Sequence, residues 1–292
     1  MTVRLLVIGE TGQVATELAR VVDPAISVTT VGRASLDLAD PAAAAAYVRT
    51  GAADVIVNAA AYTAVDKAEA EEALATRVNG AAPGAMAEAA AARGIPFLHI
   101  STDYVFDGAG DRPWREDDLT GPLGAYGRSK LAGEIAVAAA GGPYAILRTA
   151  WVFAGHGGNF VRTMLRVGRD RDRLTVVDDQ WGGPTAAADI AQALVTLAKA
   201  FAAGDGVSGV FHFCGAPQTT WRRFAEEIFR QANWDKAPVV APIRTDEWPT
   251  PAMRPHNSVL DCQRIFETYG IKQPDWRHAL APVLSEIEGT SE

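Results

Sequence analysis

Val3-Arg4-Leu5-Leu6-Val7-Ile8-Gly9-Glu10-Thr11-Gly12-Gln13-Val14-Ala15 is the stretch on which the fold is read. Val3 to Ile8 is apolar with little in/out alternation, which suits a strand covered on both faces. The turn after it uses Gly9 to bend tightly and Gly12 to let backbone approach a ligand, and it opens straight into a helical pattern. Unbonded N–H groups and the positive end of the helix dipole then point the same way, which makes a site for an anion. Ala15 stands where a third glycine is often found and needs only to be small for helix–sheet packing.

Outward from this unit the same rhythm repeats. Strands are expected at Val3–Ile8, Ile26–Val31, 54–58, 97–101 and 144–148, with helices at 12–22, 41–49, 69–92 and 126–140. Strict alternation of strand and helix predicts an α/β fold, a doubly wound parallel sheet with right-handed crossovers. Beyond Arg148 the pattern loosens into a helix at 159–169, a strand at 174–177, a helix at 185–201 and a strand at 210–213. An amphipathic helix at 221–233 and a closing helix at 276–288 follow, while residues 237–255 hold five prolines and read as irregular. Residues 1–149 with about 182–212 are assigned to a Rossmann-type dinucleotide-binding domain. A smaller, discontinuous substrate-binding lobe takes about 150–181 and 213–292.

The composition narrows the function. The chain has 292 residues, 48% hydrophobic and 21% charged, with net charge −8 and no run of basic residues, so no nucleic-acid partner is expected. Cys214 and Cys262 are the only cysteines and give no disulfide framework. The opening apolar stretch is too short for a signal peptide, and the alanine-rich residues 81–92 are broken by Pro83 and Glu88. No membrane span is expected, and the cytoplasm is the expected location. Five scattered histidines without HExxH or paired cysteines argue against metal-dependent hydrolysis, and no metal-ligating residue is assigned. GxSxG is absent, and no GK[ST] follows the glycines.

The second strand ends Val31-Gly32-Arg33, where an acidic residue would bind ribose hydroxyls and a basic one suits a 2′-phosphate. Arg33 therefore favours NADPH over NADH, against the plainer reading of a solvent-exposed arginine. Asp37 and Leu38 follow where an adenine would lie, and Asn58-Ala59-Ala60-Ala61 ends the third strand with small residues.

Tyr126-Gly127-Arg128-Ser129-Lys130 is the most informative chemistry. Tyr126 and Lys130 are four residues apart and share one helix face. A phenol titrates near ~10, and a neighbouring ammonium would lower that value and make it a usable proton donor. Thr102 falls at the carboxyl end of the fourth strand, where its hydroxyl can bond the same carbonyl oxygen. Asp103 beside it either binds a sugar hydroxyl or caps the turn.

At this point the motifs match a family. GETGQVA at 9–15, DVIVNAAAYTAVDKAE at 54–69, STDYVFDG at 101–108 and YGRSKLAGE at 126–134 come in order. RTAWVFAGHGGNF at 148–160, VVDDQWGGPT at 176–185 and TPAMRPHNSVLD at 250–261 follow. The chain resembles the dTDP-4-dehydrorhamnose reductases of the extended short-chain dehydrogenase/reductase superfamily, essentially end to end. The resemblance implies hydride transfer from NADPH, or in some members NADH, to C4 of dTDP-4-dehydro-L-rhamnose. It puts Gly12, Gln13 and Val14, with Gly9 in the turn, at the pyrophosphate, and Asp37 and Leu38 at the adenine. Ala61, Tyr62 and Thr63 would lie along the cofactor. Tyr126 and Lys130 would be catalytic, with Thr102, and Thr102, Asp103 and Trp151 would meet the sugar. Arg254 is the candidate for the nucleotide diphosphate. Some members pair as Mg²⁺-linked homodimers. Glu17 matches one such acidic position, but alanine around 187–189 stands where its partner is expected, which puts the metal in doubt. Glu10 also departs from the pattern, placing a negative charge beside the phosphate loop. Two other readings stay open: a reductase or epimerase of another nucleotide sugar, and a non-catalytic NADP-binding regulatory subunit on the same fold. Asp103 is followed by Tyr104 rather than a second acid, which disfavours a dehydratase.

Overall fold

The computed structural model describes residues 2–289. Six strands, β1 (Val3–Ile8), β2 (Ile26–Val31), β3 (Val55–Asn58), β4 (Phe97–Thr102), β5 (Tyr144–Thr149) and β6 (Gly209–His212), form one sheet. Its order is β6-β5-β4-β3-β1-β2, and every pairing is parallel. The direction of winding reverses between β1 and β3, so a crevice opens there at the carboxyl ends of the strands.

The main helices are α1 (Gln13–Ala19), α2 (Pro41–Thr50), α3 (Ala82–Ala91), α4 (Ala125–Ala139), α5 (Phe160–Gly168), α6 (Ala187–Ala203), α7 (Trp221–Ala232) and α8 (Trp276–Gly289). Alternate strand residues feed opposite faces of the sheet. Leu5, Val7, Val57, Leu98 and Leu147 pack with Leu18 of α1 and Ile190, Leu194 and Leu197 of α6. Leu6, Ile8, Ile56, Phe97 and Ile146 pack with Val48 of α2, Met86 of α3 and Val137 of α4. This explains the unbroken apolar runs: both faces are core, and each such side chain contributes about 1.5–3 kcal/mol relative to exposure. A third core, with Phe153, Leu165, Val176, Phe224, Ile228 and Leu280, joins α5, α7 and α8 to a small two-stranded sheet.

Two local readings are corrected and one element is added. The helix expected at 69–92 starts at Glu72 and runs unbroken to Ala91, but it widens into a π-helical segment at Arg77–Ala81 before α3. An α-helix would ask residue 83 to donate to the Asn79 carbonyl, and Pro83 has no N–H. The chain widens instead, with Ala82 N–H bonding the Arg77 carbonyl. Within the proline-rich segment, Val239–Ile243 is a strand parallel to Arg173–Val177, with Pro242 opposite Val176. A two-stranded sheet is all edge, and edges tolerate a residue without an N–H. A short helix, Gln263–Tyr269, was also not expected. Among the described residues no helix is long and apolar enough to cross a membrane.

Candidate active site

The glycine turn has the expected shape. Gly9 sits at φ +125°, a conformation that favours glycine, and its N–H bonds the Val31 carbonyl at 2.9 Å. A Cβ there would press on Ala15 Cβ and on the Ala59–Ala60 backbone, each at 3.3 Å, so small residues surround it. Gly12 caps α1 with no side-chain bond, and no acidic residue occupies the first turn. A Cβ at Gly12 would meet only the Ala59 carbonyl oxygen, at 3.8 Å. The leading N–H groups of α1 therefore face an open cradle that fits a diphosphate. Val14 is buried in the sheet core and so offers its backbone. Gln13 Oε1 accepts from Asn159 Nδ2 at 2.9 Å, which ties this turn to the cap of α5.

Arg33 is 82% exposed and makes a loose 3.6 Å ion pair with Asp37, so its guanidinium is free to exchange that partner for a phosphate. Leu38 packs into the core while Asp37 Oδ1 caps the Ala39 N–H at 2.9 Å. Ala61, Tyr62 and Thr63 leave β3 as a loop held by Asn79, whose Oδ1 accepts from Tyr62 N–H at 2.7 Å. Asn79 Nδ2 also donates to Ser129 Oγ at 2.9 Å, so the π-turn links the cofactor-side loop to α4.

At the carboxyl end of β4, Thr102 Oγ1 donates to Asp103 Oδ1 at 2.9 Å and accepts from Tyr104 N–H at 3.2 Å. The Thr102 hydroxyl also lies in the surroundings of the Tyr126 phenol and favours its ionised form. Burial, and then the nearby Asp103 charge, push the Tyr126 phenol up to about 12. That differs from the expected lowering by Lys130, because Lys130 Nζ is turned into the sheet, donating to the Ile100 carbonyl oxygen at 2.7 Å. Burial pulls Lys130 down to about 8 against the pull of Glu134. Burial likewise raises the Asp103 carboxyl to about 6, opposed by the Ser258 and Thr102 hydroxyls. Asp103 Oδ2 and, on the adjoining strand, Thr149 Oγ1 are buried without a hydrogen-bond partner among the described residues. Thr102 and Thr149 are paired across β4 and β5, so unsatisfied oxygens gather at one end of the sheet, as a site for a polar ligand requires.

Two glycines let α4 come this close. A Cβ on Gly127 would lie 2.2 Å from the Tyr104 carbonyl oxygen, and one on Gly133 2.1 Å from that of Asn79. Beneath the helix, Glu134 and Arg148 form a buried bidentate pair at 2.9 and 2.7 Å, and Ser101 Oγ donates to Glu134 at 2.5 Å.

Trp151 stands just after β5 at φ +48°, an uncommon conformation for a bulky residue. Its ring is stacked on Trp221 at 3.5 Å and 9°, and Gly182 lies so near that a Cβ there would sit 2.4 Å from Cε2. One ring face is thus covered by Trp221, and the half-buried ring keeps some of its surface open. Arg254 is held by Asp66 at 2.9 Å, which docks the 250–255 loop on Val65–Ala68. Its charge reaches Tyr104, which stands edge-on to Tyr126 with ring centres 5.8 Å apart. Glu17 bonds His156 Nε2 at 2.7 Å and Arg20 at 3.0 Å. Ser258 and Asn79 were not anticipated. Neither lies in a local pattern with the residue it supports.

Residues 3–288 match the family described as RmlD substrate binding domain. The chain belongs to that family. A relative named dTDP-4-dehydrorhamnose reductase from Sinorhizobium fredii is 45% identical over 280 residues, covering 94% of this chain and 95% of the relative. Another of that name, from Burkholderia thailandensis, is 46% identical over 296 residues, covering 97% and 99%. The solved dTDP-4-dehydrorhamnose reductase of Clostridium acetobutylicum superposes with TM-score 0.90 at 36% identity, covering 98% and 99%. That of Bacillus anthracis, in complex with NADP, gives TM-score 0.90 at 32% identity, covering 98% and 100%. As a member of the dTDP-4-dehydrorhamnose reductase family the chain is an oxidoreductase on a Rossmann-type α/β fold.

Proposed function

We propose that this chain reduces the C4 keto group of dTDP-4-dehydro-L-rhamnose with NADPH, giving dTDP-L-rhamnose. The observation that carries the reading is the meeting of Thr102, Asp103 and Tyr126 at the carboxyl end of β4, above Lys130 and beside an open phosphate cradle. Bound NADPH supplies the hydride to C4 of the sugar. The chain's own residues handle the rest. Tyr126, kept protonated by burial, gives its proton to the C4 oxygen, so the ketone becomes a secondary alcohol and the cofactor leaves oxidised. Thr102 orients that oxygen by hydrogen bonding, and Lys130, on the same helix but bonded to the Ile100 carbonyl, contributes a positive charge at longer range rather than a direct contact with the phenolate left behind. Asp103 Oδ2, lacking a protein partner, accepts from a sugar hydroxyl, while Trp151 borders the ring. Gly9, Gly12, Gln13 and Val14 cradle the diphosphate of the cofactor, with Arg33 on its 2′-phosphate. Asp37, Leu38 and the loop from Ala61 to Thr63 flank it, and Arg254 faces the diphosphate of the sugar nucleotide. Residues 1–149 with about 182–212 act as the cofactor unit and the remainder as the substrate lobe.

The test follows NADPH absorbance with dTDP-4-dehydro-L-rhamnose as substrate and identifies the sugar formed. Oxidation with dTDP-L-rhamnose as product is expected. Tight NADPH binding without oxidation would refute the substrate assignment.

A further inference from the structure

Under the catalytic pair runs a buried polar file that the reaction above leaves unused. Lys130 Nζ lies 3.4 Å from His99 Nε2 as well as on the Ile100 carbonyl. His99 is in the middle of β4 and wholly buried, and its Nδ1 is 3.0 Å from Asn58 Nδ2 at the end of β3. Asn58 and His99 are direct neighbours in the sheet register. Asn58 Oδ1 in turn accepts from Ala60 N–H at 3.3 Å. A Cβ on Gly133 would reach to 3.4 Å from His99 Nε2, so glycine there leaves the imidazole room beneath α4.

A buried neutral imidazole has one donor nitrogen and one acceptor, and its neighbours decide which is which. Ala60 N–H faces the Asn58 oxygen, which leaves the Asn58 amide N–H to donate to His99 Nδ1. Nε2 must then carry the hydrogen and point it at Lys130 Nζ. Against an amine this is a hydrogen bond. Against an ammonium it sets donor against donor.

We propose that Asn58 and His99 are a positioning pair which, by fixing the His99 tautomer, holds the Lys130 amino group in place and sets its balance between amine and ammonium. Burial, helped by the Lys130 charge, keeps His99 well below its usual range and hence neutral. Glu134, on the same helix as Lys130, is the carboxylate whose field favours the ammonium, and its charge is shared with Arg148 of β5. The inference rests on the reading of Lys130 as the partner of Tyr126. Its consequence is that the alkaline limb of turnover is tuned by two residues that touch neither sugar nor cofactor.

The experiment has two readouts. In the uniformly ¹⁵N-labelled full-length protein, the His99 ring should show its hydrogen on Nε2 and none on Nδ1; the opposite tautomer, or an imidazolium, overturns the proposal whatever the activity. In the NADPH assay, His99→Gln can turn its carbonyl oxygen toward Lys130 and so favour the ammonium. The alkaline limb of kcat should move upward by about one pH unit, about tenfold in the apparent acid constant, with the KM for NADPH unchanged. A limb that coincides with the parent's overturns the proposal, since a merely structural role would lower kcat without moving it. Should His99→Gln fail to fold, Asn58→Asp reverses the tautomer with His99 in place, and the same upward movement is required. A parent that never oxidises NADPH with the keto sugar would refute the proposed function while the nitrogen spectrum still decides this one.

Discussion

Asp103→Asn should make the cofactor-free protein more stable, and by an amount that depends on pH. The carboxyl is 3% exposed, one oxygen has no partner, and burial lifts it from 3.8 to about 6. Folding thus tightens its hold on a proton by about two pH units, worth ~3 kcal/mol at ~1.4 kcal/mol per unit. Below the unfolded value both states are protonated and the wild type carries no penalty. As pH rises through the folded value the native carboxylate ionises in a site that disfavours it, and that stability is lost. Asparagine keeps an oxygen to accept from Thr102 but never ionises. Urea denaturation of both proteins at several pH values should show near-equal stability at about pH 4, with the variant ahead by ~3 kcal/mol at about pH 8. A difference that does not change with pH, or a variant less stable at alkaline pH, would refute the reasoning. The gain should be accompanied by a raised KM for the sugar nucleotide, the trade expected where a site holds a strained group for function.

Tyr126→Phe should lower turnover by about 10²–10⁴ while NADPH binding, followed by fluorescence, stays within about threefold; wild-type-like turnover would remove Tyr126 as the acid. Arg33→Ala should weaken NADPH much more than NADH in paired titrations, with stability changed by less than about 0.5 kcal/mol because its ion pair is exposed and 3.6 Å long. Equal losses for the two cofactors would sink the 2′-phosphate contact. Gly133→Ala should destabilise by about 1–3 kcal/mol, since its Cβ would sit 2.1 Å from the Asn79 carbonyl oxygen. Gly158→Ala, with nothing within 4 Å of the added Cβ, should leave the melting temperature unchanged, and matching losses in the two variants would remove close packing as the cause.

The parts of the fold that could be read in advance are those set by neighbours in the chain. The apolar runs at Val3–Ile8 and Ile26–Val31 are strands because each of their faces meets a layer of helices, and the run itself carries that information. The Tyr126–Lys130 spacing is equally local. What was not readable depended on partners far away. Proline at 238 and 242 argued against a strand, yet Val239–Ile243 pairs with a segment more than sixty residues earlier, where an edge accepts it. The π-turn at Arg77–Ala81 follows from one missing N–H at Pro83, but its use, holding Tyr62 to Ser129 through Asn79, exists only once α4 has docked. Ser258, which favours the ionised form of Asp103, comes from far along the chain. Lys130 has the expected place on its helix but a different set of contacts, because the direction of a long side chain is decided by the carbonyls and rings packed around it.

The stacked pair Trp151–Trp221 also makes the molecule its own optical probe. Two indole rings held nearly parallel at 3.5 Å couple their strong far-ultraviolet transitions, and such a pair adds an exciton couplet to the circular dichroism spectrum that isolated tryptophans lack. One ring follows β5 of the central sheet and the other opens α7. That signal therefore reports whether the end of β5 and the first turn of α7 stay in register as ligands arrive, with no label added and no residue replaced.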